Sequence, residues 1–266
     1  MSATFGVREP IPGVVYMPEA RLRSYVEAGV LGTRTLAEAL TASFAQHAAR
    51  VALHTPQGPI TYAELDAQTD RAAAALLALG LVPTDRVLLQ SANTPELVVA
   101  LLACFKAGLI PVCTLAAHRE AEIGYLGRHC DARLHLVQSD DPKFDLAGFA
   151  LKMKAEIPTM AHIVTLGSGA VREGTSRLAD LIAQQDAKTA KATLAALPRD
   201  PFQVGVFQLS GGTTGVPKVI PRMQNDYLLN AELTAQHLGY TPDDVMFMPM
   251  PMMHNACMIC FLLPTL

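Results

Sequence analysis

The sequence lacks the excess of basic residues that nucleic-acid-binding proteins carry. Its 266 residues contain 21 Lys and Arg against 24 Asp and Glu, which gives a formal net charge of −3. The basic residues are spread along the chain and form no polybasic tail. This balance excludes an electrostatic footprint for nucleic acid or for an anionic membrane.

Tryptophan is absent and cysteine is scarce. The five cysteines are an odd count without a framework of paired spacings, which is typical of a reducing compartment. The N-terminus has neither the basic start nor the apolar stretch of a signal peptide, so we expect a cytoplasmic protein. Cys257 and Cys260 form a C-x-x-C pair, but zinc needs further ligands at suitable spacing and only His254 lies nearby. No metal site is predicted.

Residues 245–266 form the longest nearly apolar stretch. The stretch contains three prolines as well as His254 and Asn255. Prolines and paired polar side chains make a lipid-facing helix costly. We therefore predict buried core here rather than a membrane span.

Helical and strand-like patterns alternate after an irregular opening. Thr61 and Glu64 form a capping box at the start of one helix, and Thr94 and Pro95 begin another that ends at Gly108. Continuous apolar runs of the kind that form buried parallel strands lie between the helices, at 85–90, 109–115, 133–137, 161–166, 203–209 and 245–248. The alternation predicts an α/β fold with largely parallel sheets flanked by helices.

Three regions follow from this pattern. Residues 1–34 are predicted as an N-terminal extension, 35–200 as a first α/β lobe and 201–266 as the start of a second lobe. The last six residues are apolar apart from one threonine and carry no polar cap. A natural domain rarely exposes such an end, so we expect the chain to be the front part of a longer protein.

The nine residues from Ser210 to Lys218 are the strongest chemical signal in the chain. They combine three glycines, three hydroxyl side chains and one lysine after an apolar, strand-like run. Backbone amides that glycine leaves accessible, hydroxyl donors and an ammonium group are what a polyphosphate needs. The spacing differs from the Walker loop, because Val216 and Pro217 separate Gly215 from the lysine. The alternative interpretation is a flexible turn between two strands.

This segment closely resembles the phosphate loop of the acyl-adenylate-forming ligases. Other stretches resemble one branch, the aryl-acid AMP ligases of siderophore assembly lines, which activate 2,3-dihydroxybenzoate or salicylate. The resemblance covers most of the chain, and its main stretches are Thr61–Asp66, Asp85–Asn93, Lys106–Val112, Ala117–Tyr125, Phe207–Arg222, Asn225–Tyr227 and Pro251–Asn255. It implies the truncated N-terminal domain of an adenylate-forming enzyme, and we expect such a fragment to be inactive alone.

The resemblance also implies a reaction and a set of site residues. A carboxylate attacks the α-phosphate of ATP, bound with Mg²⁺, and the acyl-adenylate then passes to a thiol. His254 would lie beside the carboxylate, Asn255 would bind the ortho substituent of the ring, and Cys260 would contact the ring. Asn255 could also be a helix N-cap, instead of this role or in addition to it. The phosphates would be held by Ser210, Gly211, Gly212, Thr213, Thr214, Gly215 and Lys218, with Lys218 also counted as catalytic together with His254.

Departures from the family pattern leave the exact acid open. Ala256 replaces the tyrosine that usually follows the His-Asn pair, which suggests a wider or differently shaped pocket. The leading interpretation is adenylation of an aryl acid followed by transfer to the phosphopantetheine of a carrier protein. The alternatives are an aryl- or acyl-CoA ligase, with coenzyme A as the partner, and a non-catalytic nucleotide-binding module.

Overall fold

The computed structural model describes residues 5–211 and 217–266. The strands in chain order are β1 Val51–Thr55, β2 Gly58–Thr61, β3 Arg86–Gln90, β4 Ile110–Val112, β5 Leu134–Gln138, β6 His162–Leu166, β7 Ser176–Arg177, β8 Val204–Leu209 and β9 Val219–Met223. β1 and β2 form a separate antiparallel hairpin. The other seven make one sheet in the order β7-β6-β5-β3-β4-β8-β9. All its neighbouring strands are parallel except β8 and β9, which confirms the predicted α/β fold.

Nine helices of six or more residues occur in the described ranges: α1 Glu19–Glu27, α2 Leu36–Gln46, α3 Tyr62–Ala78, α4 Pro95–Ala107, α5 Glu120–His129, α6 Leu146–Glu156, α7 Leu178–Ala183, α8 Ala187–Ala195 and α9 Gln224–Leu238. The chain then ends in what we call the C-terminal helical segment: a short α-helix Asn255–Cys257, a π-helix Met258–Leu262 and a last turn Leu263–Thr265. None of the helices described has the length and apolar character needed to span a bilayer.

The helices cover both faces of the sheet. Val87 and Leu89 of β3 pack in one hydrophobic core with most of α4, whereas Leu88 between them packs in a second core with residues of α5 and α6. Alternate residues of a strand point to opposite faces, so α4 lies on one face and α5 and α6 lie on the other.

This arrangement places a topological switch point at the middle of the sheet. The chain leaves β3 through α4 towards β4, and then crosses back through α5 to β5 on the other side of β3. The carboxyl ends of β3 and β5 therefore flank a crevice, the place where open α/β sheets bind ligands.

The predicted helix boundaries rest on local signals that the structure confirms. At the start of α3 the Thr61 side chain accepts from the Glu64 N–H, and the Glu64 carboxylate accepts from the Thr61 N–H at 2.8 Å. Thr94 caps α4 and Pro95 occupies its first turn. Gly108 ends α4 with φ 72°, a left-handed conformation that glycine adopts without strain.

The prediction of a strand at 245–248 is wrong. These residues form no strand in the described structure, and the exposed fractions of Val245 and Phe247 are 75% and 82%. A strand needs a hydrogen-bonding neighbour, and no described strand pairs with this run. The buried core predicted for 245–266 is likewise limited to its later part, which includes Met252, Met253 and Cys257–Ile259.

The central sheet continues across residue 200. Val112 of β4 pairs in parallel with Phe207 of β8, so the first strand assigned to the second lobe extends the sheet of the first. Just before this boundary, residues 187–195 form α8. The division into lobes at residue 200 stays a prediction.

Candidate functional site

The loop predicted to hold phosphate joins β8 to β9, and its two ends are tied together. The Ser210 N–H donates to the Lys218 carbonyl at 3.0 Å, and the Lys218 N–H donates to Ser210 Oγ at 3.1 Å. This reciprocal pair continues the antiparallel ladder of the two strands. It fixes both ends of the loop at the carboxyl end of β8, the same edge of the sheet at which the crevice opens.

Both described ends of this loop face solvent. Gly211 and Lys218 are exposed, and a Cβ added at Gly211 would meet no atom within 4 Å. A phosphate can therefore approach the backbone here without displacing a side chain. The predicted contacts Gly212, Thr213, Thr214 and Gly215 lie outside the described residues.

Two consecutive hydrogen bonds lead from β8 to Asn255. Gln208 Nε2 donates to the Tyr227 hydroxyl at 2.8 Å, and that hydroxyl donates to Asn255 Oδ1 at 3.0 Å. Tyr227 is fully buried, and this burial raises the pKa of its phenol well above the ordinary value. The hydroxyl therefore keeps its proton and must accept from one amide and donate to the other.

These hydrogen bonds fix the orientation of the Asn255 side chain. Its oxygen is occupied by Tyr227, which leaves the Nδ2 donor on the opposite side of the amide group. Asn255 is half-buried, and Nδ2 has no protein partner among residues 5–211 and 217–266. An oriented amide donor at this position can bind an oxygen atom of a ligand.

His254 and not Asn255 caps the short helix that begins the C-terminal segment. His254 Nδ1 accepts from the Ala256 N–H at 3.3 Å. In a neutral imidazole an accepting Nδ1 places the proton on Nε2. The exposed His254 ring can thus offer an N–H donor immediately beside Asn255, and the alternative role of Asn255 as the N-cap is excluded.

Cys260 lies further along the same segment, in the π-helix. It is partly exposed, whereas the other four cysteines are buried. Its carbonyl would accept from residue 264 in a regular α-helix, but Pro264 has no N–H. The Tyr240 hydroxyl takes that place and donates to the Cys260 carbonyl at 2.8 Å.

The sequence did not identify Gln208 and Tyr227 as parts of the site. Both belong to stretches that carry the family resemblance, but their role depends on contacts with Asn255 from a distant part of the chain. A buried tyrosine hydroxyl needs a hydrogen-bond partner. This rule indicates that Tyr227 belongs to a polar network, but it does not identify the other members of that network. Within the described residues no group of three or more His, Cys, Asp or Glu side chains could hold a metal ion.

Comparison with known proteins gives consistent matches over nearly the whole chain. The family profile described as "AMP-binding enzyme" matches residues 40–266. A salicyl-AMP ligase / salicyl-S-ArCP synthetase of Mycobacterium tuberculosis is 36% identical over 263 residues, which cover 95% of this chain and 45% of that protein. The chain thus spans less than half the length of the curated relatives it matches.

Solved structures agree with the sequence matches. The apo structure of MbtA from Mycobacterium smegmatis superimposes with a TM-score of 0.84 at 31% identity, over 93% of this chain and 45% of that one. The anthranilate CoA ligase AuaEII in complex with anthranoyl-AMP has a TM-score of 0.67 at 27% identity, over 76% and 37%.

Proposed function

Since this chain belongs to the AMP-binding enzyme family, we propose that it forms the N-terminal part of a ligase that adenylates an aryl carboxylic acid. The proposed product passes to a carrier-protein phosphopantetheine thiol. The main support for the proposal is the oriented Nδ2 donor of Asn255 beside the exposed His254. The hydrogen bonds that orient this donor start at Gln208, two residues before the phosphate loop. Residues 1–266 alone are proposed to lack turnover.

The described residues fit the binding of ATP. Gly211 leaves its backbone open and Lys218 presents an exposed ammonium group, which are the donors that phosphate oxygens require. ATP, with Mg²⁺ on its phosphates, would supply the adenylyl group that the carboxylate takes up, and its β- and γ-phosphates would leave together as pyrophosphate. Lys218 would neutralise the negative charge that develops on the pyrophosphate oxygens, and a preplaced donor does so without reorienting.

The aryl acid is proposed to lie against the start of the C-terminal helical segment. His254 Nε2–H would orient the carboxylate whose oxygen attacks the α-phosphorus. Asn255 Nδ2 would donate to an ortho oxygen on the ring, and Cys260 would contact the ring itself. We also propose a cytoplasmic location, which the five thiols outside disulfides support.

Replacing Lys218 by alanine in the complete gene product should lower ATP–pyrophosphate exchange. A hydrogen bond to a charged group contributes about 1.5–3 kcal/mol, so we expect a loss of roughly 10- to 100-fold. Lys188→Ala removes another exposed lysine, on α8, and should leave exchange unchanged. Equal rates in the two variants would remove Lys218 from the site.

Replacing Asn255 by alanine should relax the preference for acids with an ortho hydroxyl group. The preference of the complete gene product for salicylate over benzoate, measured as kcat/KM in pyrophosphate exchange, is expected to shrink about 5- to 100-fold, since an unpaired polar group costs about 1–3 kcal/mol. Tyr227→Phe keeps the amide but removes its orienting partner, so a smaller shift in the same direction is expected. An unchanged ranking of acids would leave Asn255 without this role.

The acceptor thiol defines the second candidate function. The structural similarity to an anthranilate CoA ligase favours an aryl-CoA ligase as the alternative. Supplying the complete enzyme with either coenzyme A or a phosphopantetheinylated carrier protein, and measuring the thioester formed, separates the two. Nucleotide binding without pyrophosphate exchange for salicylate, 2,3-dihydroxybenzoate or benzoate would support a non-catalytic module.

A further inference from the structure

We propose that Asn93 is a positioning residue that sets the place of His254 and Asn255 by fixing the loop before them; this inference rests on the proposed function. The side chain of Asn93 makes three hydrogen bonds to the backbone of that loop. Nδ2 donates to the Met250 carbonyl at 2.7 Å and to the Met248 carbonyl at 3.3 Å. Oδ1 accepts from the Met252 N–H at 2.7 Å.

The position of Asn93 in the fold makes it a stable anchor. It follows the end of β3 by three residues and directly precedes Thr94, the N-cap of α4. Its backbone is therefore held between a buried central strand and a buried helix, at the crevice of the switch point. The loop it binds lies 155 to 159 residues further along the chain.

The sequence of the loop explains why it needs an external partner. Residues 249 and 251 are prolines, which have no N–H and hold the residues before them in an extended conformation. In an extended chain, groups two residues apart point to the same side, so the Met248 and Met250 carbonyls can share one donor. Met252 is the first residue after both prolines that offers an N–H, and Asn93 Oδ1 accepts from it.

The position of this loop determines where His254 and Asn255 lie. Met252 and Met253 are buried in the first hydrophobic core, and the His254 N–H donates to the Pro251 carbonyl at 3.0 Å. His254 then caps the helix that carries Asn255. Asn93 on one side and the two buried methionines on the other thus leave the His-Asn pair little freedom. In the proposed arrangement Asn93 contacts neither the acid nor the nucleotide, and it acts through His254 and Asn255.

Three variants of the complete gene product test the proposal. Asn93→Ala removes all three hydrogen bonds. Asn93→Asp keeps the shape and the acceptor for Met252, but turns an oxygen towards two carbonyls where Asn93 has a donor. Asn230→Ala is the matched control, because its side chain makes no hydrogen bond within the described ranges. The readouts are amide hydrogen exchange across 248–253 and the separate kcat and KM of aryl-acid-dependent pyrophosphate exchange.

We expect Asn93→Ala to speed exchange of the Met252 amide and to raise KM for the aryl acid roughly tenfold, with kcat changed much less, because the pair binds the acid in the ground and transition states alike. Asn93→Asp should be at least as impaired as Asn93→Ala, although it is the same size. A side chain that served only to fill space would give the opposite order.

Other combinations of amide exchange and KM would contradict the positioning role of Asn93. Faster amide exchange with an unchanged KM would show that Asn93 stabilises the loop without affecting acid binding, which would overturn its positioning role. A raised KM with unchanged amide exchange would overturn that role as well. If the unsubstituted enzyme shows no aryl-acid-dependent exchange, the proposed function fails, and the assignment of Asn93 to acid binding falls with it. If the unsubstituted enzyme shows aryl-acid-dependent exchange and the Asn93 variants match it in KM and amide exchange, the role of Asn93 is wrong and the proposed function stands.

Discussion

Replacing Lys106 by methionine is expected to lower the free energy of unfolding by about 3–5 kcal/mol. Lys106 lies on α4 with a side chain that is only 2% exposed. Its Nζ contacts Asp66 Oδ1 at 2.5 Å and Asp70 Oδ1 at 2.6 Å, both on α3, and the Asp66 carbonyl at 3.2 Å. Every proton of the ammonium group therefore has an acceptor, and the charge also faces the ring of Phe44 at 5.7 Å.

The loss arises because methionine matches the size of lysine but not its charge. Asp66 and Asp70 would remain close together, largely buried and without the cation that both contact. Breaking a buried ion pair by removing one partner leaves uncompensated charge, which costs far more than the pair itself contributes. Urea unfolding followed by circular dichroism measures the change as a lower midpoint at an unchanged slope.

Lys152→Met is the matched control for this experiment. Lys152 pairs with Glu120, and both side chains are more than half exposed, so its removal should cost at most about 1 kcal/mol. A further variant that adds Asp66→Asn and Asp70→Asn to Lys106→Met should recover much of the lost stability, because the uncompensated carboxylates are gone. Similar midpoints for Lys106→Met and Lys152→Met would contradict the buried-charge explanation.

Stability is expected to start falling below about pH 6.5, before most carboxylates titrate, because of His135. This residue is the second of β5 and is paired in register with Leu88 and Ile163 on the two neighbouring strands. It is fully buried, and neither ring nitrogen has a partner in the described structure. Burial disfavours the charged imidazolium and lowers the pKa of His135 to about 3.

The direction of the pH effect follows from that shift. An unfolded histidine takes up its proton near pH 6.5, whereas His135 in the folded state does so only near pH 3. Between these values the unfolded chain binds the extra proton, so stability is complete above pH 6.5 and falls as the pH drops towards 3. The slope for one proton is about 1.4 kcal/mol per pH unit, and the full loss is on the order of 5 kcal/mol.

His135→Leu separates this contribution from the others. Burial also lowers the pKa of His118 and His162, so some acid sensitivity will remain. The slope of unfolding free energy against pH between about 6 and 4.5 should nevertheless fall by about 1.4 kcal/mol per pH unit. At pH 8 the variant should be more stable by about 1–3 kcal/mol, because two unpaired nitrogens are removed from the core. The control is His237→Leu, at an exposed position of α9, which should leave the slope unchanged. Equal slopes for His135→Leu and the parent protein would rule out the buried imidazole as the cause of the acid sensitivity.

Features that depend on a few neighbouring residues could be predicted from the sequence. The capping box of Thr61 and Glu64, the Thr94 cap and the end of α4 at Gly108 each involve groups within four positions of one another, and all three are confirmed. The alternation of apolar runs and helices also predicted the largely parallel sheet correctly.

Features that depend on distant partners could not be predicted. Residues 245–248 have the apolar pattern of a strand, but pattern alone does not supply a neighbour to pair with. Asn255 was identified by resemblance, whereas its orientation depends on Tyr227, 28 residues away. Lys106 was noted only as part of a family-like stretch, and its two carboxylate partners lie 36 and 40 residues away on another helix.

The antiparallel strand β9 lies at one edge of the sheet formed by the described residues. Edge strands expose unpaired backbone groups, and those groups can recruit a strand from a neighbouring molecule. β9 carries Pro221, paired opposite Phe207. A proline interrupts the row of N–H donors that a strand from a second molecule would need. The edge that holds the end of the ligand loop is thereby poorly suited to aggregation through strand addition.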